Sequence, residues 1–410
     1  MNRAHKKGSI MGSGSNVTTI TNALVFDGSS AELFEGSIVM ADGVIKEVGD
    51  VAASGRTIDA GGRVVVPGLI DAHFHAYGIS LDGFSNERPP LSYSALVGAT
   101  RLGAALRRGF TTVRDVAGGD IGLANAIDRG VLTSPRYYFT GPALSQTGGH
   151  GDPRAADVDL CFDHGHMCEI ADGVDELRRA VRERFRTGSH AIKIMTSGGV
   201  VSLTDPIRIP QYSAEEITVV TEEATRRGSY VAAHAYSPEA IRHSVLNGVR
   251  SIEHGNLLDD QTARLMAEHG SYLVPTLAAY DAMDRRGEQL GLNPISQQKN
   301  AEVLAAGKIA IERARAAGVS IGFGSDLMGD LEDDQLVGVR LQVEVLGVLD
   351  TLRSMTTVNA ELLKNPDLGR LAPGGLADAV ILDGNPFDDA AALWDESRER
   401  TVITNGRVVR

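Results

Sequence analysis

The stretch Val64-Val-Val-Pro-Gly-Leu-Ile-Asp-Ala-His-Phe-His-Ala-Tyr77 decides how this chain is read. Its apolar run, rich in β-branched residues, predicts a strand, and the run delivers His73 and His75 two positions apart. Successive side chains of a strand point to opposite faces, so both imidazoles leave on the same side. That arrangement can grip one metal ion. The alternative, two core histidines that alternate by chance, requires partners to offset the desolvation of both rings. Stretches further along the chain supply further ligands instead.

Around this stretch lie 410 residues, enough for one large α/β barrel or for two domains. Hydrophobic residues make up 42% and charged residues 23%, the proportions of an ordinary globular protein. No apolar run approaches the ~20 residues of a membrane span, so no membrane partner is expected. The formal charge of −13 argues against nucleic acid as a partner, because phosphate binding needs clustered Lys and Arg. Residues 1–15 begin basic but have no apolar segment behind them; they read as a disordered leader, with Met11 as an alternative start. Cys161 and Cys168 are too few for a disulfide framework and fit a reducing cytoplasm.

Along the chain, 18–26, 36–40, 43–49 and 62–66 alternate apolar and polar residues between Gly and Asp, and read as antiparallel strands joined by tight turns. The same texture returns only at 377–383 and 401–409, the latter with an Asn405-Gly406 turn. The two ends are therefore expected to meet in one small β-sandwich, since each set alone has few strands. Between them the rhythm becomes strand, loop, helix. Helices expected over 91–108, 122–129, 175–186, 213–227, 238–247, 261–269 and 297–317 alternate with strands at 109–115, 137–141, 190–195, 229–234, 249–254, 272–276 and 319–326. With the opening strand, eight units predict an α/β fold, a (β/α)8 TIM-like barrel closed by a helix over 350–363. The domain division is 1–15 leader, 16–67 with 370–410 sandwich, and 68–369 barrel.

Catalytic groups of such barrels sit at the C-terminal ends of strands. His73, His75, Lys193, His234, His254 and Asp326 each fall where an apolar run ends. Lys193 read alone is a surface lysine, but Ala191, Ile192, Ile194 and Met195 around it argue for burial; Asp326 read alone is a turn residue. Pro67-Gly-Leu-Ile-Asp-Ala-His-Phe-His75 resembles the opening signature of the amidohydrolase superfamily. Ile192-Lys-Ile-Met-Thr-Ser-Gly-Gly199, Ala232-Ala-His-Ala-Tyr236, Ser251-Ile-Glu-His-Gly255 and Gly324-Ser-Asp326 resemble its later motifs in order. Gly148-Gly-His-Gly151, Thr111-Thr-Val-Arg-Asp115 and the tail from Gly375 are most similar to the branch of Xaa-Pro-type dipeptidases and related amidases, which includes ochratoxin-hydrolysing enzymes.

The resemblance implies a site for two divalent ions, usually zinc. His73, His75 and Asp326 would hold one ion and His234 and His254 the other, with carbamylated Lys193 bridging both. An ammonium has no lone pair, whereas its carbamate is an anionic oxygen ligand. The implied reaction is cleavage of an amide bond in an N-acyl amino acid or dipeptide by a metal-bridging hydroxide, with Asp326 as the proton carrier. His150 is the implied second electrophile at the carbonyl oxygen, against the alternative of a loop histidine in water. Tyr236 is the implied partner of a substrate carboxylate, and Arg208 is a second candidate by its guanidinium chemistry, against a solvated loop arginine. Cys161-Phe-Asp-His-Gly-His-Met-Cys168 is poorly spaced for a structural zinc and reads as a capping loop, with His164 or His166 as ligand contacts. After Asp326 the segment keeps Gln335 but departs from the branch pattern, which leaves the substrate open. The alternatives are a carbamate, urea or anilide substrate, deamination of a ring, or an inactive barrel used as a binding module. A small-molecule substrate, homo-oligomeric assembly and a cytoplasmic location complete the expectations.

Overall fold

The structure, a computed structural model, describes residues 17–202 and 205–409. The 1–15 leader lies outside the described residues. Strands from both ends of the chain share one eight-stranded sheet. Its order is Arg407–Val408, Arg400–Thr404, Ala379–Leu382, Val64–Pro67, Val17–Val25, Phe34–Ala41, Val44–Gly49, with Arg56–Asp59 also paired to Val17–Val25. Ile20, Val25, Ile38, Met40, Val65 and Ile381 form its buried core. The sequence predicts antiparallel strands here, yet Thr18 pairs with Arg56 and Leu24 with Val64 in parallel. The cause is a register break between Ile20 and Ala23, where Asn22 adopts a φ of 51°. A bulge of this kind bends the strand, so that each half meets a different partner.

The middle of the chain builds a TIM-barrel-like α/β domain from parallel strands. Leu69–Phe74, Phe110–Asp115 and Arg136–Phe139 form one sheet; Ile192–Met195, Val231–Ala235, Ser251–His254, Tyr272–Val274 and Ser320–Ile321 run in order through another. Backbone bonds join the two: His190 N donates to Phe139 O at 2.8 Å, Ala72 N to Phe323 O at 2.9 Å, and Asp326 N to His73 O at 2.8 Å. The last strand is regular only at Ser320–Ile321, shorter than 319–326. A Cβ at Gly324 would collide with His73, so the chain passes flush against the first strand there.

Helices follow the predicted rhythm, and Ser213 with Glu216 closes the capping box its sequence signals. Ile192 and Ile194 pack among Leu177, Ile217 and Val220, burial worth about 1.5–3 kcal/mol per side chain. Strand alternation then turns Lys193 to the other face. The final helical stretch differs most from expectation, starting at Gln335 rather than 350. It runs Gln335–Arg353 and continues through a π-turn at Ser354–Val358 to Asn359–Leu362. Gly347, with a φ of 77°, interrupts it and breaks the apolar period that would have marked one helix.

Candidate metal centre

The strand ends bring His73, His75, His234, His254 and Asp326 together. Ring centroids lie 5.1 Å apart for His73 and His75, 5.0 Å for His73 and His254, and 4.5 Å for His234 and His254. Asp326 Oδ1 is 3.2 Å from His73 Nε2 and 2.9 Å from His75 Nε2, and its Oδ2 is 3.6 Å from His254 Nδ1. One ligand atom from each of His73, His254 and Asp326 falls within 4.8 Å of the others. His254, Thr276 and Asp326 have φ values of 77°, 48° and 56°. Such left-handed residues cost of order 1–3 kcal/mol each and cluster at functional sites. At His254 the departure from extended backbone also frees the side chain from strand alternation, so that it and its neighbour Glu253 reach the same interior.

Glu253 sets the first ligand's tautomer. Its Oε2 lies 2.7 Å from His73 Nδ1, and since a carboxylate only accepts, a proton sits on Nδ1, which leaves Nε2, 3.2 Å from Asp326 Oδ1, as the candidate ligand atom. Arg114 Nη2 donates to Glu253 Oε1 at 2.8 Å, and the Ser251 hydroxyl donates to the same oxygen. Burial alone would raise the Glu253 carboxyl, but Arg114 and His73 hold it well below the usual range. His234 Nε2 donates to Gly198 O at 3.1 Å, which leaves Nδ1 as the acceptor. Burial, joined by the neighbouring His150 and His254, keeps His234 far below the usual imidazole value; burial does the same to His254. Both rings are therefore neutral, with lone pairs available, at neutral pH. His254 Nδ1 contacts the Tyr280 hydroxyl at 2.7 Å and Thr276 Oγ1 at 2.8 Å.

Lys193 is 2% exposed and makes no hydrogen bond among the described residues. Burial, partly offset by Glu253 and Asp326, pushes its ammonium down to about 8. The neutral amine, the form able to react with carbon dioxide, is thus accessible. The neutral imidazoles of His234 and His254, the partly buried Asp326 carboxylate and an orphaned His75 Nδ1 make a donor set that fits divalent metal.

An open cleft lies over these groups. His150 and Tyr236 line it with the six strand-end residues; Arg208 does not. His150 stacks on His234 at 4.1 Å, and its Nδ1 faces Ser202 Oγ at 2.8 Å and Asp205 Oδ2 at 3.5 Å. Tyr236 stacks on His254 and shares a 2.9 Å hydrogen bond with the Tyr280 hydroxyl. Arg208 is exposed and pairs with Glu302, away from the cleft lining. In the Cys161–Cys168 loop, Met167 and Cys168 line the cleft, whereas His164 and His166 do not. Glu87 anchors this loop by accepting from the His166 and Met167 backbone N–H groups. Both cysteines are free thiols.

Sequence reading missed several residues that hold the centre. Glu253 and Arg114 are one such pair, and charged residues inside apolar strands were the available signal. Asp71 is another: it accepts from His73 N, from Ser325 N and Oγ, and from Gln335 Nε2 at 2.6–3.1 Å, pinning the last strand to the first. Tyr280 carries no local motif at all.

A domain of this build, with a polar cluster at its strand ends, agrees with the match of residues 64–409 to the amidohydrolase family model. The chain belongs to that family, and with it to the hydrolases acting on C–N amide bonds. It is 32% identical to ochratoxinase of Aspergillus niger over 96% of this chain and 87% of that protein. It also resembles the crystal structure of a prolidase complexed with N-methylphosphonate-L-proline: TM-score 0.93, 42% identity, 96% of this chain and 99% of the other. A Xaa-Pro dipeptidase with bound methionine gives a TM-score of 0.85 at 30% identity, covering 96% of this chain and 100% of that one.

Proposed function

We propose that the chain is a binuclear metal-dependent amidohydrolase that cleaves the amide bond of an N-acyl amino acid or dipeptide. The observation that carries this reading is the convergence of four histidines, Asp326 and a buried, unpaired Lys193 on the floor of one cleft. His73, His75 and Asp326 would hold one divalent ion, His234 and His254 the other, and Lys193 as its carbamate would serve both. Such ions, zinc being the first choice, lower the pKa of water and polarise a carbonyl when bound. Asp326, whose carboxyl is held well below its usual value by His73 and His75 against the opposing effect of burial, is ionised and able to accept a proton. It then passes that proton to the leaving nitrogen. His150, held through Nδ1 by Ser202 and Asp205, would in its doubly protonated form donate a hydrogen bond from Nε2 to the carbonyl oxygen as charge develops there. Leu81, Met195, Val200, Met283 and Met328 line the cleft and would exclude water from the reacting amide. The likeness to ochratoxinase and to a prolidase complexed with N-methylphosphonate-L-proline supports the choice of amide.

A second reading keeps the chemistry and changes the substrate to a carbamate, urea or anilide. It is favoured by one observation: among the described residues lining the cleft, Lys193 is the only cationic side chain. A substrate carboxylate would have Tyr236 and backbone donors but no guanidinium. The test is turnover of a panel of N-acyl amino acids, dipeptides, anilides and carbamates by protein of measured metal content. Turnover confined to free carboxylates supports the first reading, turnover without them supports the second, and no turnover at full metal loading sinks both.

A further inference from the structure

We infer that Lys299 is a positioning residue for His150, acting through the loop that follows Ser197; this rests on the role proposed above for His150. The helix Pro294–Ala317 opens with Asn293, whose side chain accepts from Ser296 N at 2.9 Å, and with Pro at its first turn. That firm start places Lys299 against the loop, while the next residue, Asn300, ties the same helix to Tyr280 O at 2.9 Å. Lys299 Nζ donates to three backbone carbonyls, Gly199 at 2.9 Å, Ser202 at 2.7 Å and Asp205 at 2.9 Å. An ammonium has three N–H groups, so all three are used. Bonds from a charged donor are roughly twice as strong as neutral ones.

All three residues gripped touch the histidine. Gly199 lies so close under the His150 ring that a Cβ there would fall inside it. Ser202 Oγ and Asp205 Oδ2 face Nδ1. The loop is closed at its base by pairing of Ser197 with Pro210, and across its middle by Gly199 N donating to Asp205 Oδ2 at 3.0 Å. With the base fixed, Lys299 is the group that sets how far the loop folds inward. It thereby sets the tilt of the ring, and hence where Nε2 aims in the cleft. Displacing a reacting group by an ångström costs up to about a hundredfold in rate, so the clamp matters to turnover without touching substrate.

The test is a double-mutant cycle on the metal-loaded protein, using Lys299→Met, His150→Ala and both together. The assay reads kcat and KM on whichever panel substrate the wild type turns over, with metal content and Tm measured for each protein. Lys299→Met alone should lower kcat by about 10- to 100-fold, with KM changed less than about threefold and metal retained. In the His150→Ala background the same substitution should change kcat by less than about threefold, since residues acting as a unit are non-additive. If the two losses multiply, or if Lys299→Met sheds metal, the inference is overturned while the role of His150 stands. Wild-type kcat in His150→Ala alone overturns that role and the inference with it. Should the Met variant be recovered unfolded, Lys299→Arg, which keeps the charge but alters the donor geometry, enters the same cycle with the same criteria.

Discussion

On the strand side of the mouth, His73 is gripped by Glu253, and Glu253 by Arg114, with all three side chains at most 1% exposed. On the loop side, His150 is gripped by Ser202 and Asp205, whose loop is drawn in by a part-buried lysine. The first arrangement is a buried ion pair inside parallel strands, where removing one partner strands a charge in a medium that cannot solvate it. The second is a set of hydrogen bonds from a loop, with Asp205 nearly as buried as the strand-side carboxylate but held by loop backbone, which can loosen while the domain stays folded. On the proposed function, the same chemical device, a histidine ring fixed through its Nδ1, should bear on stability and metal retention in one place. In the other it should bear on turnover alone.

Substitution at the point where the strand-end ligands meet should have the largest effect. Asp326→Asn keeps the shape but removes the proton acceptor, and kcat should fall by about a thousandfold or more with little change in Tm. Glu253→Gln tests the strand side. It leaves the Arg114 charge unpaired, so unfolding free energy should drop by about 3–5 kcal/mol and metal affinity by about 10- to 100-fold, read by denaturant titration and elemental analysis. A variant that keeps both metal and stability would erase the distinction drawn here. His150→Ala tests the loop side: kcat should fall by about a hundredfold with metal content near normal. Loss of metal in that variant would place His150 among the ligands.

Acid sharpens the comparison further. Burial would raise Asp205, but the hydrogen bond and charge of His150 outweigh it and hold the carboxyl below its ordinary 3.8. A depressed carboxyl contributes stability above its unfolded pKa and loses it as pH falls through the folded value. Amide exchange in loop 198–205 should therefore show no loss of this anchor from neutrality down to about pH 5 and a loosening only below its ordinary range. The smallest effect is expected at Arg208→Ala, where KM should stay within about twofold of wild type, because an exposed arginine paired with Glu302 contributes little.

The sequence made the strand-borne half of the site legible because strands announce themselves: each of His73, Lys193 and His234 sits in an apolar strand whose period fixes its face, and His254 ends one. Loops carry no such period. His150 was reachable only through a motif resemblance, and Arg208, chosen for its guanidinium alone, lies away from the cleft. Lys299 sits on a helix far along the chain, and its partners are backbone carbonyls, which leave no trace in residue identity. Likewise the parallel pairings of Val17–Val25 depend on one left-handed Asn22, and an alternating pattern cannot say which neighbour lies beside it.

The strand Val64–Pro67 runs straight into the first ligand pair, and it is flanked by Val17–Val25 on one side and by Ala379–Leu382 on the other, with Pro67 opposite Ala379. During synthesis that second flank emerges long after the histidines have left the ribosome. The strand that leads into His73 and His75 therefore stays unpaired on one edge until almost the whole chain is made. A nascent or C-terminally clipped chain would present His73 and His75 behind an anchor strand that is still half-paired, so on the proposed function its readiness for metal would depend on completion of the polypeptide.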